Sequence, residues 1–159
     1  MKICLVTALF LSSMIFAGVQ AAEGVSAQEL LETPMDIVVY RSPTCGCCGK
    51  WLQHLKQHDF NVIDNVTENM QGIKDKYGIT NSLASCHTAI INGHIVEGHV
   101  PAGDIKSMLK AKSDIKGLAV PGMVAGTPGM EMGAKKMPFK VLAFDKQGNM
   151  ALYKSYEEY

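Results

Sequence analysis

The chain has 159 residues, 47% of them hydrophobic, and sets 15 lysines and arginines against 15 aspartates and glutamates. A single domain of that length buries its own core without covalent staples. With charge balanced and no basic run, there is no electrostatic footprint for nucleic acid or for an anionic membrane surface.

Lys2 precedes an apolar run from Ile3 to Val19, and Gly18, Ala21 and Ala22 supply small residues for cleavage. This is the plan of a secretory signal peptide over residues 1–21. A retained membrane anchor is the alternative, since the run falls just short of the ~20 residues a span needs. Cleavage removes Cys4 and leaves Cys45, Cys47, Cys48 and Cys86 outside the cytoplasm, where disulfides persist. Residues 22–34 read as a polar lead-in with a helical turn around Glu29-Leu30-Leu31.

The first domain is expected over residues 35–115. Asp36 to Tyr40 predicts a buried strand, and Cys45-Gly46-Cys47-Cys48 follows it directly. Trp51, Leu52 and Leu55 then recur at helical spacing, which puts the cysteines at a helix N-terminus, the helix running to about His58. Unpaired N–H groups there favour thiolates, making better nucleophiles and better ligands for a soft metal. One structural disulfide needs two cysteines, and a third thiol beside it invites scrambling. Two bridges among four thiols are conceivable, but adjacent Cys47 and Cys48 make that awkward.

Phe60 to Val66 predicts a second strand, and Glu68 to Tyr77 a second helix stopped by Gly78. Thr88 to Ile91, Asn92-Gly93 and His94 to Glu97 make a hairpin with a type I′ signal. Ala102 to Lys112 closes with a helix presenting Ile105, Met108 and Leu109. The predicted class is α/β, a βαβαββα domain with a C-terminal extension over residues 116–159. In that topology the Asn92-Gly93 turn lies at the far edge, so His99 returns to the cysteines and His94 does not. His99 as a plain strand-end residue is the alternative. His54 and His58, at i,i+4 spacing, are read as surface residues.

In the extension, Gly117 to Met137 is too rich in Gly and Pro for helix or regular strand, and it carries Met123, Met130, Met132 and Met137. Methionine ordinarily fills core gaps. Grouped near thiolates, neutral thioethers suit Cu(I). The segment is expected to fold over the cysteines as a lid, with Met130 and then Met123 as thioether ligands. Glu131 is either an acceptor for an imidazole N–H of His87 or His99, or solvated. Phe139 to Phe144 and Met150 to Tyr156 predict a closing hairpin.

The element order, with Cys45 and Cys48 spaced as CxxC at the first strand-to-helix turn, resembles the thioredoxin fold over roughly residues 35–112. That resemblance implies a cis-proline facing the dithiol. Cys86-His87 occupies its place here, adding soft ligands and arguing for a metal site over simple dithiol exchange. Further motifs sharpen the likeness: Tyr40 to Trp51, Ser85-Cys86-His87-Thr88, Glu97 to Pro101, Gly117 to Met123 and Pro128-Gly129-Met130-Glu131. Together they resemble the CxCC copper-resistance family called CopG. The family implies a periplasmic thioredoxin-like protein whose extension helps to bind copper at the CxCC cysteines, interconverting Cu(I) and Cu(II). Val124-Ala125 stands where the family leads one to expect a proline.

The expected ligand set is Cys45, Cys47, Cys48, Cys86, His87, His99, Met123 and Met130, holding more than one copper ion, with Cys45 and Cys48 as the redox pair. Efflux or electron-transfer proteins of the periplasm are the expected partners of a monomer. Three alternatives stand beside the copper oxidoreductase. One is a copper chaperone or buffer without turnover. Another is a thiol-disulfide oxidoreductase with Cys45 attacking and Cys48 resolving. The last is a structural zinc site of Cys45, Cys48, Cys86 and His87.

Overall fold

The structure is a computed structural model that describes residues 34–157 except 112, 132, 134 and 135. The signal-peptide reading, the turn around Glu29-Leu30-Leu31 and Met132 fall outside the described residues.

Strand β1 (Met35–Arg41) leads into helix α1 (Gly46–Gln57), strand β2 (Phe60–Val66) and helix α2 (Met70–Tyr77). Strands β3 (His87–Ile91) and β4 (His94–Glu97) form the expected hairpin, its Asn92 and Gly93 both at positive φ, and helix α3 (Ala102–Lys110) follows. Among the described residues three more strands follow: β5 (Gly117–Ala119), β6 (Phe139–Phe144) and β7 (Met150–Tyr156). All seven share one sheet in the order β2-β1-β3-β4-β5-β6-β7. The βαβαββα order read from the sequence is therefore present.

Each face of the sheet carries its own cluster. Alternation along β1 buries Met35, Ile37 and Val39 on one side, where Trp51, Leu52 and Leu55 of α1 and Ile105 and Met108 of α3 pack against them. On the other face Ile79 and Leu83, just past α2, meet Ile95, Ala119 and Phe144. Asn69 caps α2 by accepting from Gly72 N–H at 2.9 Å, and Gly78 ends it in the left-handed conformation.

One expectation needs correction. Gly117–Ala119 is a regular strand, parallel to β4, with Val96 opposite Leu118. Burial overrides the Gly-rich composition, since Gly117, Leu118 and Ala119 are all buried. Through β5 the closing hairpin joins the sheet of the first domain, and Leu118, Val120, Phe139 and Val141 enter its main cluster. Asp104 of α3 adds a tie by accepting from Lys154 (3.2 Å) and from the Tyr156 hydroxyl (2.8 Å). The extension is thus structurally continuous with the domain it follows. Among the described residues, no helix is long and apolar enough to cross a membrane.

Candidate metal centre

The cysteines sit where β1 hands over to α1. Cys45 is the residue before the helix and its side chain makes no capping bond, while Cys47 and Cys48 lie in the first turn. Cys45 and Cys48 are joined as a disulfide with Cα atoms 5.5 Å apart; Cys47 and Cys86 are free. Cys47 Sγ lies 3.7 Å from Cys45 Sγ. Across the strand order, β3 is the neighbour of β1, with Arg41 opposite His87, so the residue before β3 arrives beside the helix start. The sulfurs of Cys45, Cys47, Cys48 and Cys86 accordingly lie within 4.8 Å of one another.

Cys86 also belongs to a second grouping. Its sulfur is 3.2 Å from His87 Nδ1 and 3.2 Å from His99 Nε2, and the three residues offer ligand atoms within 4.8 Å of one another. His99 follows β4, as the hairpin geometry requires. Alternation turns His87 toward α1, where its ring centroid is 4.2 Å from that of Trp51 and 4.9 Å from that of His99. The Trp51 N–H donates to Val100 O at 2.9 Å, which holds the indole in place. His87 Nε2 is buried without a hydrogen-bond partner among the described residues.

Burial sets the protonation of the group. It holds the imidazoles of His87 and His99 below their ordinary value, His87 much the further, with His99 adding to the effect on His87. Both rings are therefore neutral near pH 7 and have lone pairs for a metal. Burial, then the neighbouring Cys47, push the Cys86 thiol up to about 12. Without a cation its proton therefore stays.

The extension covers the start of α1. His99 Nδ1 hydrogen-bonds to Pro128 O at 2.7 Å, which leaves Nε2 aimed at Cys86. Gly129 lies against Trp51 so closely that a Cβ there would sit 2.5 Å from Trp51 N. The loop braces itself through Gly126 N–H to Met130 O at 2.9 Å and Met130 N–H to Thr127 O at 2.7 Å. Met130 is buried in this covering segment, whereas Met123 is 64% exposed. Glu131 is exposed, in keeping with the solvated reading, and its carboxylate also accepts from Gly129 N–H at 2.8 Å, which shapes the turn.

The remaining histidines divide. His94 lies at the far end of the hairpin, bonded to Ile115 O at 2.9 Å. His54 departs from the surface reading, being partly buried and accepting from Ala102 N–H at 3.1 Å through Nε2, which caps α3. Composition carried no sign of this, because the bond joins residues that only the packing of α1 on α3 brings together. Also missed was a buried set beneath the ligand loop, Lys74, Thr88 and Glu97. A glutamate closing the apolar run Ile95-Val96 was the available signal.

A family described as "Protein of unknown function, DUF411" matches residues 83–130, the stretch holding Cys86, His87, His99 and Met130. No curated protein matches the chain by sequence. Two solved structures of copper resistance protein CopG, forms 2 and 1, match with TM-scores of 0.74 each. The first is 41% identical, covering 77% of this chain and 98% of that one; the second is 42% identical, covering 79% and 99%. Identity of that degree across nearly the whole of those proteins, with the cysteine and histidine groupings above, places the chain in the CopG family of copper resistance proteins.

Proposed function

We propose that this protein binds copper in the periplasm as part of copper resistance, holding more than one ion at Cys45, Cys47, Cys48 and Cys86 and interconverting Cu(I) and Cu(II). The observation that carries this reading is the convergence of four sulfurs within 4.8 Å, one of them shared with two imidazoles. Thiolates select Cu(I), and imidazole nitrogen also suits Cu(II), so a sulfur-rich set flanked by nitrogen serves both states. Sulfurs this close favour bridging over a single mononuclear site. Zinc at Cys45, Cys48, Cys86 and His87 would leave Cys47 without a task. Met130, buried in the covering loop, and Met123, at its exposed edge, are the thioethers offered to Cu(I).

The Cys45–Cys48 pair gives the reading its electrons. Two Cu(II) ions each take one electron as the two thiols join, yielding two Cu(I), one disulfide and two protons. In the reverse sense the disulfide accepts those electrons. The existing Cys45–Cys48 bond supports this role, and it also favours the second reading, a thiol-disulfide oxidoreductase. Free Cys47 and Cys86 beside the pair weigh against that alternative, since they would capture mixed disulfides. Copper-efflux or electron-transfer proteins of the periplasm would be the partners.

The test adds Cu(II) anaerobically to the fully reduced mature protein and follows Cu(I) with bathocuproine disulfonate while counting thiols. One Cys45–Cys48 disulfide per two Cu(I) is expected. Copper bound with every thiol retained would leave a chaperone or buffer.

A further inference from the structure

Beneath the ligand loop lies a buried ionic cluster that touches none of the expected ligands by side chain. Alternation along β3 sends His87 to the α1 face and Thr88 to the α2 face, where its cross-strand partner is Glu97. Glu97 is fully buried. Its Oε1 accepts from the Ser85 backbone N–H at 2.6 Å, and its Oε2 accepts from the Thr88 hydroxyl at 2.6 Å. The Lys74 ammonium, from α2, donates to Oε1 as well and reaches Thr88 Oγ1 at 3.2 Å. Ser85 and Thr88 are the residues immediately before and after Cys86-His87. One carboxylate therefore holds the ligand pair from both ends.

An ion pair is an odd choice for this place. Its neighbours on this face include Ile90 and Ile95, and buried pairs are often matched or exceeded in stability by apolar residues of the same volume. What leucine cannot supply is an acceptor for the Ser85 N–H and for the Thr88 hydroxyl. Lys74 neutralises the charge that this acceptor brings. Ser85 carries the connection further, its hydroxyl donating to Gly122 O at 2.5 Å, at the start of the covering segment.

We propose that Glu97, neutralised by Lys74, is a positioning residue for the metal centre, clamping Ser85 and Thr88 so that Cys86 Sγ faces the α1 cysteines and His87 Nδ1 faces Cys86 Sγ. The inference rests on the copper reading above. Partners of this kind typically change metal affinity by about 10–100-fold when removed.

The experiment is an anaerobic Cu(I) competition against bathocuproine disulfonate with the reduced mature protein. Lys74→Met/Glu97→Leu removes clamp and charge together, and its Cu(I) affinity is expected to fall about 10–100-fold with the far-UV spectrum retained. Lys74→Met/Glu97→Gln keeps an acceptor for Ser85 and a donor for Thr88 Oγ1, and should recover most of the loss. In a Cys86→Ser background the leucine pair should cost little more, because the effect travels through Cys86. Should the leucine pair fail to fold, Thr88→Val removes one arm isosterically and is expected to weaken Cu(I) several-fold. Wild-type affinity in the folded leucine pair or, where that fails to fold, in Thr88→Val would overturn the proposal. So would a loss that glutamine does not recover and that persists undiminished without Cys86. The copper reading fails separately, if wild-type protein does not bind Cu(I) or binds it equally well after Cys86→Ser alone.

Discussion

Gly129→Ala tests whether the extension covers the metal centre by close backbone contact. Gly129 has φ +83°, where a side chain costs about 1–2 kcal/mol. Its new Cβ would also sit 2.5 Å from Trp51 N and 3.0 Å from Trp51 Cα. Neither atom can yield, since both belong to the first turns of α1 and Trp51 is fully buried. Overpacking against a rigid partner adds about 1–3 kcal/mol, so the substitution should cost roughly 2–5 kcal/mol in all. The loop is easier to displace than the helix, and lifting it breaks the His99 bond to Pro128 O. Gly122→Ala is the matched control, with φ +71° in the same segment but nothing within 4 Å of the new Cβ, so only the conformational cost applies. Hydrogen exchange at the Met130 amide, which is bonded to Thr127 O, reports loop opening, and Cu(I) competition reports its consequence. Exchange should accelerate and Cu(I) binding weaken in Gly129→Ala well beyond the control. If the two variants behave alike, the contact with Trp51 does not hold the loop and the covering role is wrong.

Met130→Leu keeps side-chain volume and removes the thioether, so a urea melt should shift by less than about 1.5 kcal/mol while Cu(I) affinity drops. Burial holds His54, His87 and His99 below the ordinary value of 6.5, so below about pH 6.5 the unfolded chain binds protons that the folded one refuses. Metal-free protein should therefore keep its stability above that pH and lose it progressively as pH falls, with the slope reduced in His54→Gln; a flat or inverted profile in thermal melts would contradict the burial argument. Truncation after Lys116 should not give a smaller folded domain: it strips Leu118, Val120, Phe139 and Val141 from the core at about 1.5–3 kcal/mol each and bares the edge of β4. Circular dichroism of the truncated chain showing a cooperative melt would refute that.

The sequence was most legible where local chemistry decides. Asn92-Gly93 fixed the β3–β4 hairpin, and from the hairpin followed the return of His99 and the exclusion of His94. The periodicity of Trp51, Leu52 and Leu55 placed Cys47 and Cys48 in the first turn of α1. Less legible was whatever depends on contacts between distant segments. Gly117-Leu118-Ala119 reads as loop in isolation and becomes a strand only because β4 offers an edge and both sides bury it. His54 looked solvated until α3 brought Ala102 N–H to it. Lys74 and Glu97 are 23 residues apart and announce nothing singly; their pairing depends on α2 packing over the β3–β4 face. Glu131 is exposed as the solvated reading has it, and only its bond from Gly129 N–H went unforeseen.

The most direct measurement of the central claim is copper analysis with copper K-edge X-ray absorption on anaerobically loaded mature protein, wild type beside Cys86→Ser and Cys45→Ser. More than one copper per chain is expected in the wild type, with a sulfur-dominated shell and copper–copper scattering from bridging thiolates. Both variants should lose copper to a similar extent, since each replaces a soft anionic ligand with a hard neutral hydroxyl. A single copper with nitrogen and oxygen neighbours, or a full complement in Cys86→Ser, would contradict a thiolate centre assembled from the start of α1 and the start of β3.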